Sequence, residues 1–371
     1  MLLQMKLPRW SSYFLAFYLP PLVQAYTVFE TNCSAPVITS NYVSSPNTRG
    51  TLDILWSSLF TIFACTWTLQ HPNVPKQRDE DTKWKNVKWG LKKFGRSTLR
   101  MLSTILAPEL IIAAACDDFI AARENLKKMK KYAKRDKVPW TLRHSYYANM
   151  GGAEAASQGS APLGPYLNPY HLTGANIITL RRNGYISKLP YIKEAEIKDR
   201  SKGDVLVKII ALGQIVWSIF QIVVRAVRRL PVSPLDVAVA AYAVCAVIIY
   251  FIYWGKPQRV DYAHTIQLDP MTHEILQLIK FNGNRRIFRE EMKELLKLQP
   301  APMGAPISMD SSKRPWYKMR VPAFAALGAV QFGGIHAIAW NFAFPSTFEL
   351  IFWRCASIYM TAAPLCAWLL F

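Results

Sequence analysis

Residues 205–254 read VLVKIIALGQIVWSIFQIVVRAVRRLPVSPLDVAVAAYAVCAVIIYFIYW, two apolar runs joined by a short link that carries Pro231 and Pro234. The first run, 205–224, holds one charge, Lys208, close enough to its end for the side chain to snorkel. The second, 235–254, holds one acid, Asp236, in what would be its first turn. Each run has about 20 residues, the length at which an α-helix crosses the hydrocarbon core of a bilayer. A proline-bounded link between two such runs predicts an antiparallel pair of transmembrane helices.

Similar runs lie on both sides. Residues 52–70 form one, with Trp56 and Trp67 near its ends where amphipathic rings favour the interface. Two more, 321–342 and 348–371, are separated by Pro345. The last stops at Leu369-Leu370-Phe371 with no polar tail, which reads as an abbreviated end or one that just reaches the interface, since a terminal carboxylate needs water. The expected fold is therefore all-α, a polytopic transmembrane helical bundle of about five to six spans. Composition agrees: the chain is 51% hydrophobic, and its 19% of charged residues collect between the apolar runs.

The formal net charge of +21 raises nucleic acid as a partner, but no zinc-ligand spacing, RNA-binding aromatic box or helix-turn-helix accompanies it. Under the positive-inside rule the basic stretches 71–100, 121–203 and 255–319 become cytosolic loops. These outweigh Arg225, Arg228 and Arg229 in the opposite link. Residues 151–169, rich in Gly, Ser, Pro and Ala, predict a loop with a partly ordered end, and 290–298 alternates charges and leucines like an exposed amphipathic helix. Residues 1–25 carry Lys6, Arg9, an apolar stretch and Val23-Gln24-Ala25, the pattern of a signal peptide, which makes 26–51 a lumenal segment. Asn32-Cys33-Ser34 is a glycosylation sequon on that side. Five of the six cysteines, Cys65, Cys116, Cys245, Cys355 and Cys366, fall in apolar runs and predict packing, not a disulfide framework.

Residues 101–118, MLSTILAPELIIAAACDD, fit none of these classes. The apolar part is about 16 residues long, too short for a full span, and both flanks are basic and cytosolic. The expectation is a re-entrant or interfacial segment, a broken helix covered by protein or lining a cavity. Glu109 lies inside it beside Pro108, where a carboxylate at membrane depth must be neutralised, paired or cavity-facing. A glutamic acid kept protonated near neutral pH can donate a proton to a substrate. Asp117 and Asp118 follow about two turns on, so Glu109 and Asp117 share one side at helical spacing. An interfacial segment with solvated carboxylates is the alternative.

Asp53, Asp204 and Asp236 each fall in the first turn of a run, where a carboxylate caps free N–H groups and complements the helix dipole. Asp117-Asp118-Phe119-Ile120-Ala121 opens like the metal-binding motif of ionisation-type terpene synthases, but Ala121 stands where a third acid is required. His264 and His273 frame no zinc motif, and no nucleophile elbow or phosphate-cradling loop is present. No metal or other cofactor is expected. Trp217, His336, Trp340 and Trp353 lie in or near later spans, either as interface anchors or as inward π faces able to stabilise a cation.

The runs Asn32-Cys33-Ser34, 43–56 (VSSPNTRGTLDILW), Cys65-Thr66-Trp67-Thr68, His71-Pro72-Asn73-Val74-Pro75, Ile105-Leu106-Ala107-Pro108-Glu109, 144–152 (HSYYANMGG) and Ser201-Lys202-Gly203-Asp204 resemble, over most of the chain, a large family of fungal membrane proteins. That family is identified as including the integral-membrane terpene cyclases of meroterpenoid biosynthesis, of the ascofuranone and macrophorin type. The resemblance implies a metal-independent isomerisation in an endomembrane such as the endoplasmic reticulum. An acid protonates an epoxide or alkene of a farnesyl chain, and the cation closes rings. It implies Glu109 as that acid, with Asp53, Asp118, His144, Asn149 and Asp204 as further polar site positions. The implied partners are a lipophilic prenylated small molecule and membrane lipid. The contrasting expectation is a non-enzymatic polytopic protein, either a receptor-like scaffold or a small-solute channel.

Overall fold

The computed structural model describes residues 49–75, 82–156, 170–201, 205–268, 274–275, 278–279 and 317–370. The expected signal peptide, Asn32, Asp204 and the helix expected at 290–298 lie outside them.

Helix α1 (Thr51–Thr68) begins after Gly50 with Asp53 in its first turn. Helices α7 (Val205–Val227) and α8 (Pro234–Ile252) form the expected pair. Their link ends in a capping box: the Ser233 hydroxyl accepts from the Asp236 N–H, and the Asp236 carboxylate accepts from the Ser233 N–H. Helix α9 (Tyr317–His336) runs into a 3-10 turn, Ala337–Asn341, and α10 (Thr347–Leu370) returns beside it. Among the described residues three stretches are long and apolar enough to cross a membrane: Ile209–Val227, Pro234–Ile252 and Arg320–Asn341. They mark a helical protein consistent with insertion in a bilayer. By contrast α1 carries a row of hydroxyl residues, and α10 carries Glu349 and Arg354.

Small residues bring these helices together. The shared core includes Cys65, Ala115, Ala241, Ala243, Cys245 and Ala246, which lets backbones approach without a water-driven hydrophobic term. Hydrogen bonds cross between helices at both levels of α1: Gln214 Nε2 donates to Thr61 Oγ1 at 3.0 Å, and the Tyr250 hydroxyl donates to Thr68 Oγ1 at 2.6 Å. Arg49, just before α1, pairs with Asp236 in the first turn of α8, while Thr68 and Tyr250 meet at the other end, so α1 and α8 run parallel.

The basic stretch expected as a cytosolic loop, 71–100, is corrected: most of it lies in α2 (Lys83–Leu106). Lysines hid a helical pattern in which Trp84, Val87, Leu91 and Phe94 recur on one face. A single residue, Ala107 (φ −147°, ψ 69°), separates α2 from the 29-residue α3 (Pro108–Asp136). Residues 101–116 are thus the end of one long helix and the start of another, and Pro108 takes the first-turn position where its missing N–H costs nothing.

The rest of α3 enters a domain that corrects both the all-α expectation and the reading of 121–203 as loop. Helix α4 (Leu142–Asn149) has every residue from His144 to Asn149 buried. A three-stranded sheet follows, in the order β2 (Tyr170–Leu172), β1 (Ala153–Ala156), β3 (His264–Gln267). Strand β1 pairs antiparallel with β2 (Glu154 opposite His171) and parallel with β3 (Glu154 opposite Thr265). Helices α5 (Gly174–Arg182) and α6 (Glu194–Arg200) complete it, around Met129, Leu172, Ile177, Leu180 and Ile279. The strands are three or four residues long, and β3 is recruited from beyond α7 and α8, so no local period announces them. Gly151 turns the chain into β1 at φ 83°, and a Cβ on Gly152 would meet the Tyr147 ring at 2.5 Å.

Candidate functional site

The Ala107–Pro108 break delivers Glu109 into the bundle as the first acid of α3. A Cβ on Gly328 of α9 would lie 3.2 Å from the Glu109 Cα and Cβ, so two backbones nearly touch there. The Tyr242 hydroxyl of α8 donates to the Ile105 carbonyl at 2.6 Å, which satisfies one of the carbonyls that α2 leaves open at its end. Cys245 Sγ donates to Gln331 Oε1 at 3.4 Å, while the buried Gln331 Nε2 has no partner among the described residues. No basic group among the described residues contributes to the environment of Glu109. The result is a half-buried carboxyl in a polar spot shared by α3, α8 and α9.

Asp117 and Asp118 lie two turns further, about 12 Å along the helix. They diverge. Asp118 receives the Tyr253 hydroxyl at 2.7 Å and Lys256 Nζ at 2.6 Å, and the Lys256 side chain is 2% exposed. Lys256 also stands over the Tyr253 ring at 4.8 Å, so the charge is neutralised and screened from water. Asp117, equally buried, faces Arg320 and Glu124, with Arg320 3.8 Å from Glu124. Glu109 and Asp117 belong to one continuous helix, two turns apart as the spacing implies, with Glu109 in the bundle and Asp117 where α8 ends and α9 begins.

The remaining expected positions are scattered. Asp53 is exposed in the first turn of α1, as a helix-start carboxylate. His144 is consumed by structure: Nδ1 accepts from the Thr141 N–H at 3.1 Å, and Nε2 lies 2.9 Å from the Ile192 carbonyl. Asn149 packs with Asn125 against Gly174, where a Cβ would come within 2.7 Å of both side chains. Trp217 is 54% exposed and stacks on Phe220, so its ring does not face inward. Trp340 lies at the far end of α9, under the Arg354 guanidinium at 5.1 Å. His336 is buried between Phe332 and Trp353 at the same end. Glu109 instead packs at Gly328, midway along α9, whereas Trp340 lies in the turn after α9 and Trp217 on α7.

Sequence reasoning missed a second polar cluster, in the sheet. Glu154 and His171 face each other across β1 and β2, 6% and 4% exposed, and Thr265 on β3 donates to Glu154 Oε1 at 3.0 Å. Glu154 Oε2 and His171 Nδ1 are buried without partners among the described residues. Burial pushes the Glu154 carboxyl up against the pull of Thr265, and pushes His171 down against the Gly151 carbonyl. Both side chains are thereby driven toward their neutral forms. Only strand register brings them together, and that register is invisible in a three-residue strand.

Comparison with curated proteins and with solved structures finds no match. A profile of a family of unknown function, DUF8562, covers residues 22–284 and so extends past β3. That span contains Glu109, the Asp117–Asp118 pair with Lys256, and the whole sheet, and it covers well over half of the chain, which therefore belongs to the family DUF8562.

Proposed function

We propose that this chain is a membrane-bound cyclase that protonates a lipophilic prenylated substrate, with Glu109 as the proton donor. The observation that carries this reading is the environment of Glu109: a carboxyl at a helix break inside the bundle, with no basic partner among the described residues. Burial of this kind favours the protonated form, and a protonated carboxyl is an acid.

In this reading α1, α7, α8, α9 and α10 are five spans, and the α2–α3 break is re-entrant from the side of the sheet. Tyr242 ties the end of α2 to α8 about 16 Å from the Tyr253 level, while Asp118 returns to that level through Lys256. The proton passes from the Glu109 carboxyl to an epoxide oxygen or alkene carbon of the prenyl chain. The resulting cation is attacked by successive double bonds, and the last cation loses a proton. The product is then an isomer of the substrate, and no co-reactant is required. Asp117, at the level of Arg320, provides a route for reprotonation.

The test is expression in a heterologous fungal host fed with farnesylated phenols and their epoxides, alongside Glu109→Gln, with extracts analysed by mass spectrometry. The expected result is a cyclised isomer from the wild type that the variant fails to make at equal membrane abundance. No conversion across the substrate panel, with good membrane expression, would overturn the reading.

A polar seam favours a second reading, a small-solute channel. Ser57, Ser58, Ser218, Gln221 and Asp236 line a cleft among α1, α7 and α8. Solute flux into vesicles that contain the Glu109→Gln variant would support it, since that function needs no acid at position 109.

A further inference from the structure

Helix α2 has the composition of neither a span nor a packed helix. Seven large apolar side chains are exposed along it, Trp84, Val87, Leu91, Phe94, Leu99, Leu102 and Leu106, the first and last at 83% and 85%. Thr104 is its one buried residue. Seven Lys and Arg residues accompany them, and the helix contains no Asp or Glu. A water-exposed apolar stripe of this length is unstable in a soluble setting, and seven cations exclude it from the hydrocarbon centre. Both conditions are met at the headgroup boundary.

The neighbours of α2 set its level. Phe94 meets Trp67 near the end of α1, at 5.9 Å between ring centroids. Lys93 pairs with Asp261 at 2.6 Å, beyond the end of α8. Gln70 donates to the Ser97 carbonyl at 2.9 Å. The middle of the helix therefore lies where the flanking helices finish, on the side that carries the sheet.

We propose that α2 is a binding surface for anionic phospholipid. Its apolar face enters the leaflet nearest the sheet, and its lysines and arginines engage the negatively charged headgroups. The occupant is inferred from charge complementarity: the helix carries seven cations and no acid, and although Lys93 pairs with Asp261, that excess matches an anionic surface and not a zwitterionic one. The inference rests on the bilayer reading of the bundle and is independent of any chemistry at Glu109.

The test uses the full chain reconstituted in vesicles of phosphatidylcholine with or without phosphatidylserine, beside Trp84→Phe, Lys83→Gln/Lys88→Gln/Lys92→Gln and Glu109→Gln variants. Selectivity for spin-labelled phosphatidylserine over phosphatidylcholine is expected to fall about fivefold in the triple Gln variant, more steeply at low salt. Glu109→Gln is expected to match the wild type, which separates this result from the cyclase reading. Brominated acyl chains are expected to quench a component of emission that Trp84→Phe lacks. Equal lipid selectivity in wild type and triple variant would overturn the headgroup assignment. Absence of a quenchable Trp84 component, or its appearance only with changing protein density, would overturn the lipid-facing placement in favour of solvent or a second copy.

Discussion

Helices α2 and α3 meet at Ala107, are both long and basic, and treat charge in opposite ways. In α2 the cations lie outside, beside an apolar face of which Phe94 meets Trp67 while the rest stays largely exposed. In α3 the acids Asp117 and Asp118 are buried, and Asp118 is answered by Lys256 from far along the chain. The difference shows that charge content does not tell a loop from a helix or a surface helix from a buried one. What matters is whether the opposite charge is supplied by the protein or by its surroundings.

The comparison is most easily broken at Lys256. Lys256→Ala leaves Asp118 as a buried charge without its cation, which is expected to cost about 3–5 kcal/mol, read as lost thermal stability in detergent. Adding Asp118→Asn is expected to recover much of that loss. If Lys256→Ala unfolds no earlier than wild type, the inward charges of α3 are not an energetic unit.

Next in size is the close approach of α9 to α3. Gly328→Ala places a methyl 3.2 Å from Glu109 Cα, and the two helices must separate slightly, at an expected cost of about 1–3 kcal/mol. The same measurement reads it, and a neutral result would mean that the contact yields freely.

At its carboxy-terminal end α3 carries a charge pair outside the bundle. Arg181 binds both Asp136 oxygens at 2.7 and 2.8 Å, and the Leu189 N–H adds a third bond. The hydrogen bonds from Arg181 hold the Asp136 carboxyl down at about 2. A depressed carboxyl stabilises the fold fully above its unfolded value near ~3.9 and loses that contribution as the pH falls from there through about 2. Wild type is therefore expected to lose stability over this window and Asp136→Asn to show a flatter acid profile.

The smallest effect should come from α2. Gly90 and Gly95 both face open space, with no atom within 4 Å of where a methyl would stand. Gly90→Ala and Gly95→Ala are therefore expected to be neutral or to stabilise by up to about 1 kcal/mol each. Destabilisation would reveal a partner on α2 that the described residues do not supply.

The sequence made the helical pair α7–α8 legible because apolar length and a proline-bounded link are local properties. Asp236 was readable as a capping acid for the same reason, although its ion pair with Arg49 was not. Glu109 was identified as exceptional from its neighbours alone, and its two-turn distance from Asp117 follows from their spacing on one helix. Lys256 went unnoticed as the partner of Asp118 because the two are 138 residues apart. His144, expected at a site, anchors α4 to the Ile192 carbonyl, and its two ring nitrogens explain its place through folding alone.

By itself the sequence determined which segments are apolar, which side of the chain is basic, where proline breaks a helix and which acid lies beside that break. These follow from composition and near-neighbour sterics. Tertiary structure alone decided that α2 keeps most of its apolar face exposed, that Asp118 has a cation, and that Glu154 and His171 face each other. Each depends on chain segments brought together from far apart, and the energy of a buried charge or an exposed apolar face is set by what is packed against it.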